Sequence, residues 1–122
     1  MEIKNKGKLK PLLPTLKEKK RYLAFEIISD NPINEFNGVS EEIMAKSLEL
    51  LGQLGVAKAG IQILAECWNP NMQRGLIRVN NKHVDELKAS LSFVEKINDK
   101  DVIIKSVGVS GIINKAKERY LK

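Results

Sequence analysis

The residues able to do chemistry in this chain are few and do not converge. His83 is the single histidine and Cys67 the single cysteine. His83 follows Asn81 and Lys82 at a predicted helix start, which reads as a solvent-exposed first-turn residue. With no second histidine, no paired cysteine and no carboxylate cluster at ligand spacing, a transition-metal site is not expected. Cys67 falls on the core-facing side of a predicted strand with no base beside it, so an inert buried thiol is expected and not a nucleophile. The glycines of Leu51-Gly52-Gln53-Leu54-Gly55 close a predicted helix and do not follow a strand, so they do not form a phosphate-binding loop. Nothing here supports a stand-alone nuclease or any other self-contained active site, and no cofactor is expected on the protein itself.

The charged residues are more informative. Residues 1–21 carry eight Lys or Arg against Glu2 and Glu18, a net +6 that equals the excess of the whole chain. The remaining residues balance, 13 basic against 13 acidic. A basic arm of this kind attracts a polyanion. Lys17, Lys19, Lys20 and Arg21 are the densest part of it. A second, smaller basic pole sits near the carboxyl end at Lys115, Lys117 and Arg119.

At 122 residues, 43% hydrophobic and 30% charged, the chain has the composition of one globular domain. The expected organisation is an arm over residues 1–21 and a single domain over residues 22–122. One lone cysteine, the lack of an 18-residue apolar run and the charged amino terminus predict a soluble cytoplasmic protein.

The elements that would position these residues follow from periodicity. Alternation predicts a first strand at Tyr22–Ile28, apolar on both faces, and the turn-forming run Asp30–Gly38 ends it. Ser40 is the expected N-cap of a first helix over Glu41–Leu54, with Ile43, Met44, Leu48, Leu51 and Leu54 as its core stripe and Gly55 as its left-handed end. A second strand at Ile61–Trp68 places Ile61, Ile63, Ala65 and Cys67 on one face and Leu64 and Trp68 on the other. A third strand follows at Arg74–Val79. Val84, Leu87, Leu91, Val94 and Ile97 mark a second helix. Val102–Val109 is a fourth strand, and Ser110-Gly111 leads into a last helix over Ile112–Leu121, with Ser110 as a cap and Gly111 as a close-packing site.

Strand, helix, strand, strand, helix, strand is the order of a ferredoxin-like α+β sandwich, the plan shared with RNA-recognition-motif domains: a four-stranded antiparallel sheet with two helices on one face, here with an extra C-terminal helix. The other face would carry Ala24, Ile28, Leu64, Trp68 and Leu76, too apolar to leave in water. Its expected covers are the terminal helix, the leucines of the arm or a protein partner, and Leu64, Trp68 and Leu76 are the candidate partner contacts. Arg74-Gly75-Leu76-Ile77-Arg78-Val79 occupies the strand where RNA-recognition motifs place base-stacking aromatics. This chain has Leu76 and Arg78 there, so stacking gives way to phosphate attraction. Arg74 and Arg78 are candidate RNA contacts, although Arg78 could equally pair with Glu26 or Glu66 across the sheet.

Leu13-Pro14-Thr15-Leu16, Lys19-Lys20-Arg21-Tyr22, Gly75-Leu76-Ile77-Arg78-Val79 and Gly108-Val109-Ser110-Gly111-Ile112-Ile113, in this order within that frame, resemble the archaeal ribonuclease P protein component two family, homologues of a eukaryotic ribonuclease P and MRP subunit. The resemblance runs from about Leu12 to Tyr120. It departs at Leu13, where a second proline is common, and at Ile112, where threonine usually follows Ser-Gly. It implies a non-catalytic subunit of a ribonucleoprotein that matures the 5′ end of precursor tRNA, with the RNA performing cleavage through magnesium ions. It also implies a TIM-barrel-like protein partner and a heterotetramer with two copies of each protein. The competing expectation is a ferredoxin-like protein-interaction or small-ligand regulatory module whose basic ends only solubilise it.

Overall fold

A computed structural model describes residues 19–122. Strand β1 spans Lys20–Ser29, helix α1 Phe36–Ala59, β2 Gln62–Asn69, β3 Arg74–Asn80, α2 Val84–Ser92, β4 Lys96–Ile97, β5 Lys100–Ser110 and α3 Ile113–Tyr120. A single 3₁₀ turn at Asn81–His83 leads into α2. The strands form one antiparallel sheet in the order β2-β3-β1-β5-β4. The chain is thus α+β with five strands and three helices.

The sheet is apolar on both sides because its central strand is. Leu23, Ala24 and Phe25 are consecutive and fully buried, so alternation sends one set of side chains to each face. Leu23, Phe25 and Ile27 join Ile77, Val79 and Ile104 beneath Val39 and Ile43 of α1 and Leu87 and Leu91 of α2. On the other face Ala24, Leu64, Cys67 and Leu76 pack with Ala116 of α3, flanked by Tyr22, Val107, Ile113, Tyr120 and Leu121. Of the three covers expected for that face, the terminal helix supplies one. Ile28, beyond its reach, stays 45% exposed.

Four expectations need correction. The first helix begins at Phe36 and runs to Ala59, so Ser40 lies inside it and caps nothing. Its left-handed residues are Gly52 (φ 76°, ψ 171°), which kinks it, and Gly60 (φ 65°), whose N–H closes it onto the Val56 carbonyl at 3.0 Å. Gly55 does neither job. The second helix stops at Ser92; Val94 and Ile97 are buried from non-helical backbone. Asn98 and Asp99 both take positive φ (53° and 66°) and form the two-residue turn of a hairpin that creates β4, the strand absent from the expected four. The last helix starts at Ile113 and ends at Tyr120. Ser110 does not occupy its N-cap position; the Ser110 hydroxyl instead accepts the Ile112 N–H at 3.2 Å and donates to the Ile112 carbonyl at 3.1 Å.

The fourth correction concerns β2. Its pairing with β3 passes from Leu64↔Leu76 directly to Asn69↔Arg74, leaving residues 65–68 opposite Gly75 alone. This irregularity breaks the alternation. Leu64 and Cys67 both turn toward α3, while Trp68 turns toward α1, stacks on Phe25 with ring centroids 6.2 Å apart and meets Phe36 at a tilt with centroids 6.3 Å apart.

A second bulge shapes the seat of α3. β5 carries the extra residue Val107 between the pairs Phe25↔Ser106 and Ala24↔Gly108, and a Cβ on Gly108 would overlap the Tyr120 ring. Gly108→Ala is therefore expected to destabilise the domain by about 1–3 kcal/mol through overpacking. Urea denaturation should show this loss, and Gly108→Ala combined with Tyr120→Leu should recover part of it.

Candidate nucleic-acid interface

The basic arm enters the described structure at Lys19; Lys17 lies outside the described residues. The Lys19 carbonyl accepts the Asn81 N–H at 2.8 Å, and Lys20 Nζ donates to Asn80 Oδ1 at 2.5 Å. Asn80 is fully buried and its Nδ2 also donates to the Lys58 carbonyl at 2.7 Å. One asparagine thus ties the end of the arm to the end of α1. Arg21 Nη1 donates to the Lys20 carbonyl at 2.9 Å and sits 3.6 Å from where a Cβ of Gly111 would be. The carboxyl end of the arm therefore meets the turn that launches α3.

Helix α3 buries Ala116 against the sheet with Ile113 and Tyr120 beside it, a spacing of three and four that leaves its basic residues on the flanks. Exposed Lys115 and Arg119, one turn apart, border a cleft of about 390 Å³ with Glu118. Lys117 lies on the opposite flank, in a cleft of about 350 Å³ that it shares with Cys67, Asn69, Pro70, Leu121 and Lys122. The cationic groups expected as one patch thus straddle the helix.

The two β3 arginines are already engaged. Arg74 Nη1 donates to the Tyr120 carbonyl at 3.0 Å, and Nη2 lies 3.6 Å from the Glu26 carboxylate, which Lys105 also approaches at 4.0 Å. Register explains the pairing, since Arg74 faces Glu26 directly. Arg78 faces Tyr22 on one side and Gln62 on the other and donates through Nη2 to Gln62 Oε1. Its partner is neither Glu26 nor Glu66.

Two of the three expected partner residues are buried by the chain itself, and the third, Trp68, is half-buried. Leu76 is fully buried and Leu64 is 7% exposed, both under α3, and Trp68 belongs to the opposite core layer. Exposed apolar side chains occur elsewhere: Leu48, Leu50 and Leu54 of α1, the last 78% exposed, and Phe93 after α2. Part of the predicted core stripe of α1 thus faces solvent, because the helix is longer than the expected one and kinks at Gly52. Two asparagines with structural roles, Asn69 and Asn80, were not singled out as site residues by sequence.

His83 is partly buried and its Nδ1 lies 2.5 Å from Glu86 one turn on. Among the described residues no group of three or more His, Cys, Asp or Glu is placed to hold a metal ion, and no helix is long and apolar enough to cross a membrane. Burial raises the Cys67 thiol pKa, the Lys117 charge opposing it and Glu66 adding to it. Cys67 is 4% exposed and packs in the layer beneath α3.

A small α+β domain with apolar layers on both sheet faces and cationic groups gathered at the start and end of its chain is the class that this geometry defines. Residues 21–121 match the family described as Rpp14/Pop5, and the chain belongs to that family. It is 40% identical over 114 residues to a protein of Pyrococcus horikoshii named ribonuclease P protein component 2, covering 93% of this chain and 92% of that one. It is 41% identical over 112 residues to the protein of that name from Pyrococcus furiosus, covering 92% and 91%, and 34% identical over 114 residues to that of Methanosarcina mazei, covering 93% and 94%. A chain in the cryo-EM structure of yeast ribonuclease MRP shares the fold with a TM-score of 0.58 at 14% identity, over 77% of this chain and 75% of that one.

Two outcomes follow from burial. Leu76→Ala should lower stability by about 2–5 kcal/mol, the cost of a cavity in a closed layer. A surface contact would instead leave the urea midpoint nearly unchanged. Cys67 should react with iodoacetamide at pH 8 far more slowly than in urea, since a raised pKa and burial both reduce accessible thiolate.

Proposed function

We propose that the protein is a non-catalytic subunit of ribonuclease P that binds and supports the catalytic RNA during 5′ maturation of precursor tRNA. The observation that carries this reading is identity of about 40% across more than nine-tenths of both chains with proteins named ribonuclease P protein component 2. The charge distribution supports it independently, because a net +6 confined to residues 1–21 is a device for a polyanion. In this reading Lys19, Lys20 and Arg21 neutralise phosphates on one side of the Gly111 turn, Lys115, Lys117 and Arg119 do so beyond it, and Lys17, outside the described residues, adds to the charge of the arm. Arg78 is a peripheral contact. Neutralising phosphate repulsion lets the RNA hold its compact fold at lower magnesium concentration, and cleavage stays with the RNA and its metal ions.

The finer architecture is read as ferredoxin-like, supported by the order β2-β3-β1-β5 of the four long strands with α1 and α2 on one face. The exposed α1 leucines and Phe93 suit an apolar protein partner, which we assign to a TIM-barrel-like ribonuclease P subunit in a heterotetramer with two copies of each protein. The site of action is the cytoplasm.

Reconstitution tests the function. Adding this protein and its partner to the RNA should raise precursor cleavage at limiting magnesium, and no increase would remove the proposal. For the arm, deletion of residues 1–18, which leaves β1 whole, should lower the slope of log affinity against log salt by about 0.7–0.9 for each phosphate that those residues neutralise. A weak slope indifferent to the deletion would favour the regulatory-module reading.

A further inference from the structure

The carboxyl end of α3 is held by the β2–β3 hairpin. Asn69 Nδ2 donates to the Leu121 carbonyl at 2.8 Å while its Oδ1 accepts the Met72 N–H at 3.2 Å. Arg74 donates to the neighbouring Tyr120 carbonyl at 3.0 Å and is braced by Glu26. The last carbonyls of a helix have no partner within it and carry the negative end of its dipole, so an amide and a guanidinium placed there are both favourable. The need is acute because α3 has only eight residues, too few to hold helical form unaided. Within it only Ala116 is fully buried.

We propose that Asn69 and Arg74 are positioning residues for RNA binding. They act through α3 and fix its Lys115, Lys117 and Arg119 in register with Lys19–Arg21, and Arg74 is not itself a phosphate ligand. Both Arg74 Nη atoms are engaged, and its Nε is buried. The neutral Asn69 performs the same task from the other arm of the hairpin. This proposal rests on the reading that the basic residues of α3 meet RNA phosphates.

The experiment measures the affinity of the full-length chain for transcribed ribonuclease P RNA across salt concentrations. It compares wild type, Asn69→Ala, Arg74→Met, the triple variant Lys115→Ala/Lys117→Ala/Arg119→Ala, and Arg74→Met added to the triple. Cys67 alkylation reports α3 docking without RNA, because the thiol lies beneath that helix. Asn69→Ala removes no charge, yet it should lower the salt slope and speed alkylation several-fold with the urea midpoint largely retained. Arg74→Met should lower the slope by more than the roughly 0.7–0.9 of one neutralised phosphate and add nothing to the triple variant. Asn69→Ala is the milder probe should Arg74→Met fail to fold. If Arg74→Met lowers the slope by a single phosphate's share, adds fully to the triple and leaves alkylation unchanged, Arg74 is a direct ligand and the proposal is overturned. An unchanged slope in the triple variant itself would instead overturn the assignment of α3 to RNA, which the alkylation rates separate from a failure of the clamp.

Discussion

The constraint on which this molecule depends is that β1 has no side it can leave in water. Leu23, Ala24 and Phe25 are consecutive and fully buried, so a layer is required on each face of the sheet. Helices α1 and α2 supply one layer with large aliphatic side chains. The other layer is a single short helix, and its contacts are correspondingly close: Ala116 flat on the sheet, Tyr120 over Gly108, and two carbonyls tied to Asn69 and Arg74. Cationic side chains flank this thin layer, so the same helix that completes the core also displays charge. Stability and polyanion attraction are coupled there by geometry.

The coverage of the second face also explains why this domain lacks a base-stacking platform. The β3 position that would carry an exposed aromatic holds Leu76, fully buried, and the arginines on either side of it bond to Tyr120, Glu26 and Gln62. Such a surface presents charge and shape in place of stacking positions. That suits a subunit whose partner RNA supplies its own fold.

Much of this was legible in the sequence wherever a pattern was local. The alternation around Leu23–Ile27 and Arg74–Val79 gave the two central strands, and the apolar excess on both faces of β1 required a cover. What was not legible depended on choices among equivalent signals. The glycines near the end of α1 are alike in sequence, and backbone angles set by the surrounding packing made Gly52 a kink and Gly60 the end and gave Gly55 neither role. The spacing of Val94 and Ile97 fits a helix or a hairpin equally, and Asn98-Asp99 decided for the hairpin. The bulge at residues 65–68 exchanged the destinations of Cys67 and Trp68, and a period of two carries no warning of such a slip. For the site, residue type located the charges, but only tertiary pairing showed that Arg74 is engaged and that Lys117 lies apart from Lys115 and Arg119.

Asn80 has a mechanical consequence. Lys19 leads directly into β1, which is paired with β3 over Lys20–Glu26 on one side and with β5 over Tyr22–Ser29 on the other. Tension applied to the arm therefore loads both ladders in shear, many hydrogen bonds sharing the force together. Through the Asn80 amide, the same load path reaches the last turn of α1. A pull on α3 would instead peel its contacts away one after another. The two basic poles differ in this respect: one is an anchor set in the strongest direction of the sheet, and the other is a surface-mounted clasp.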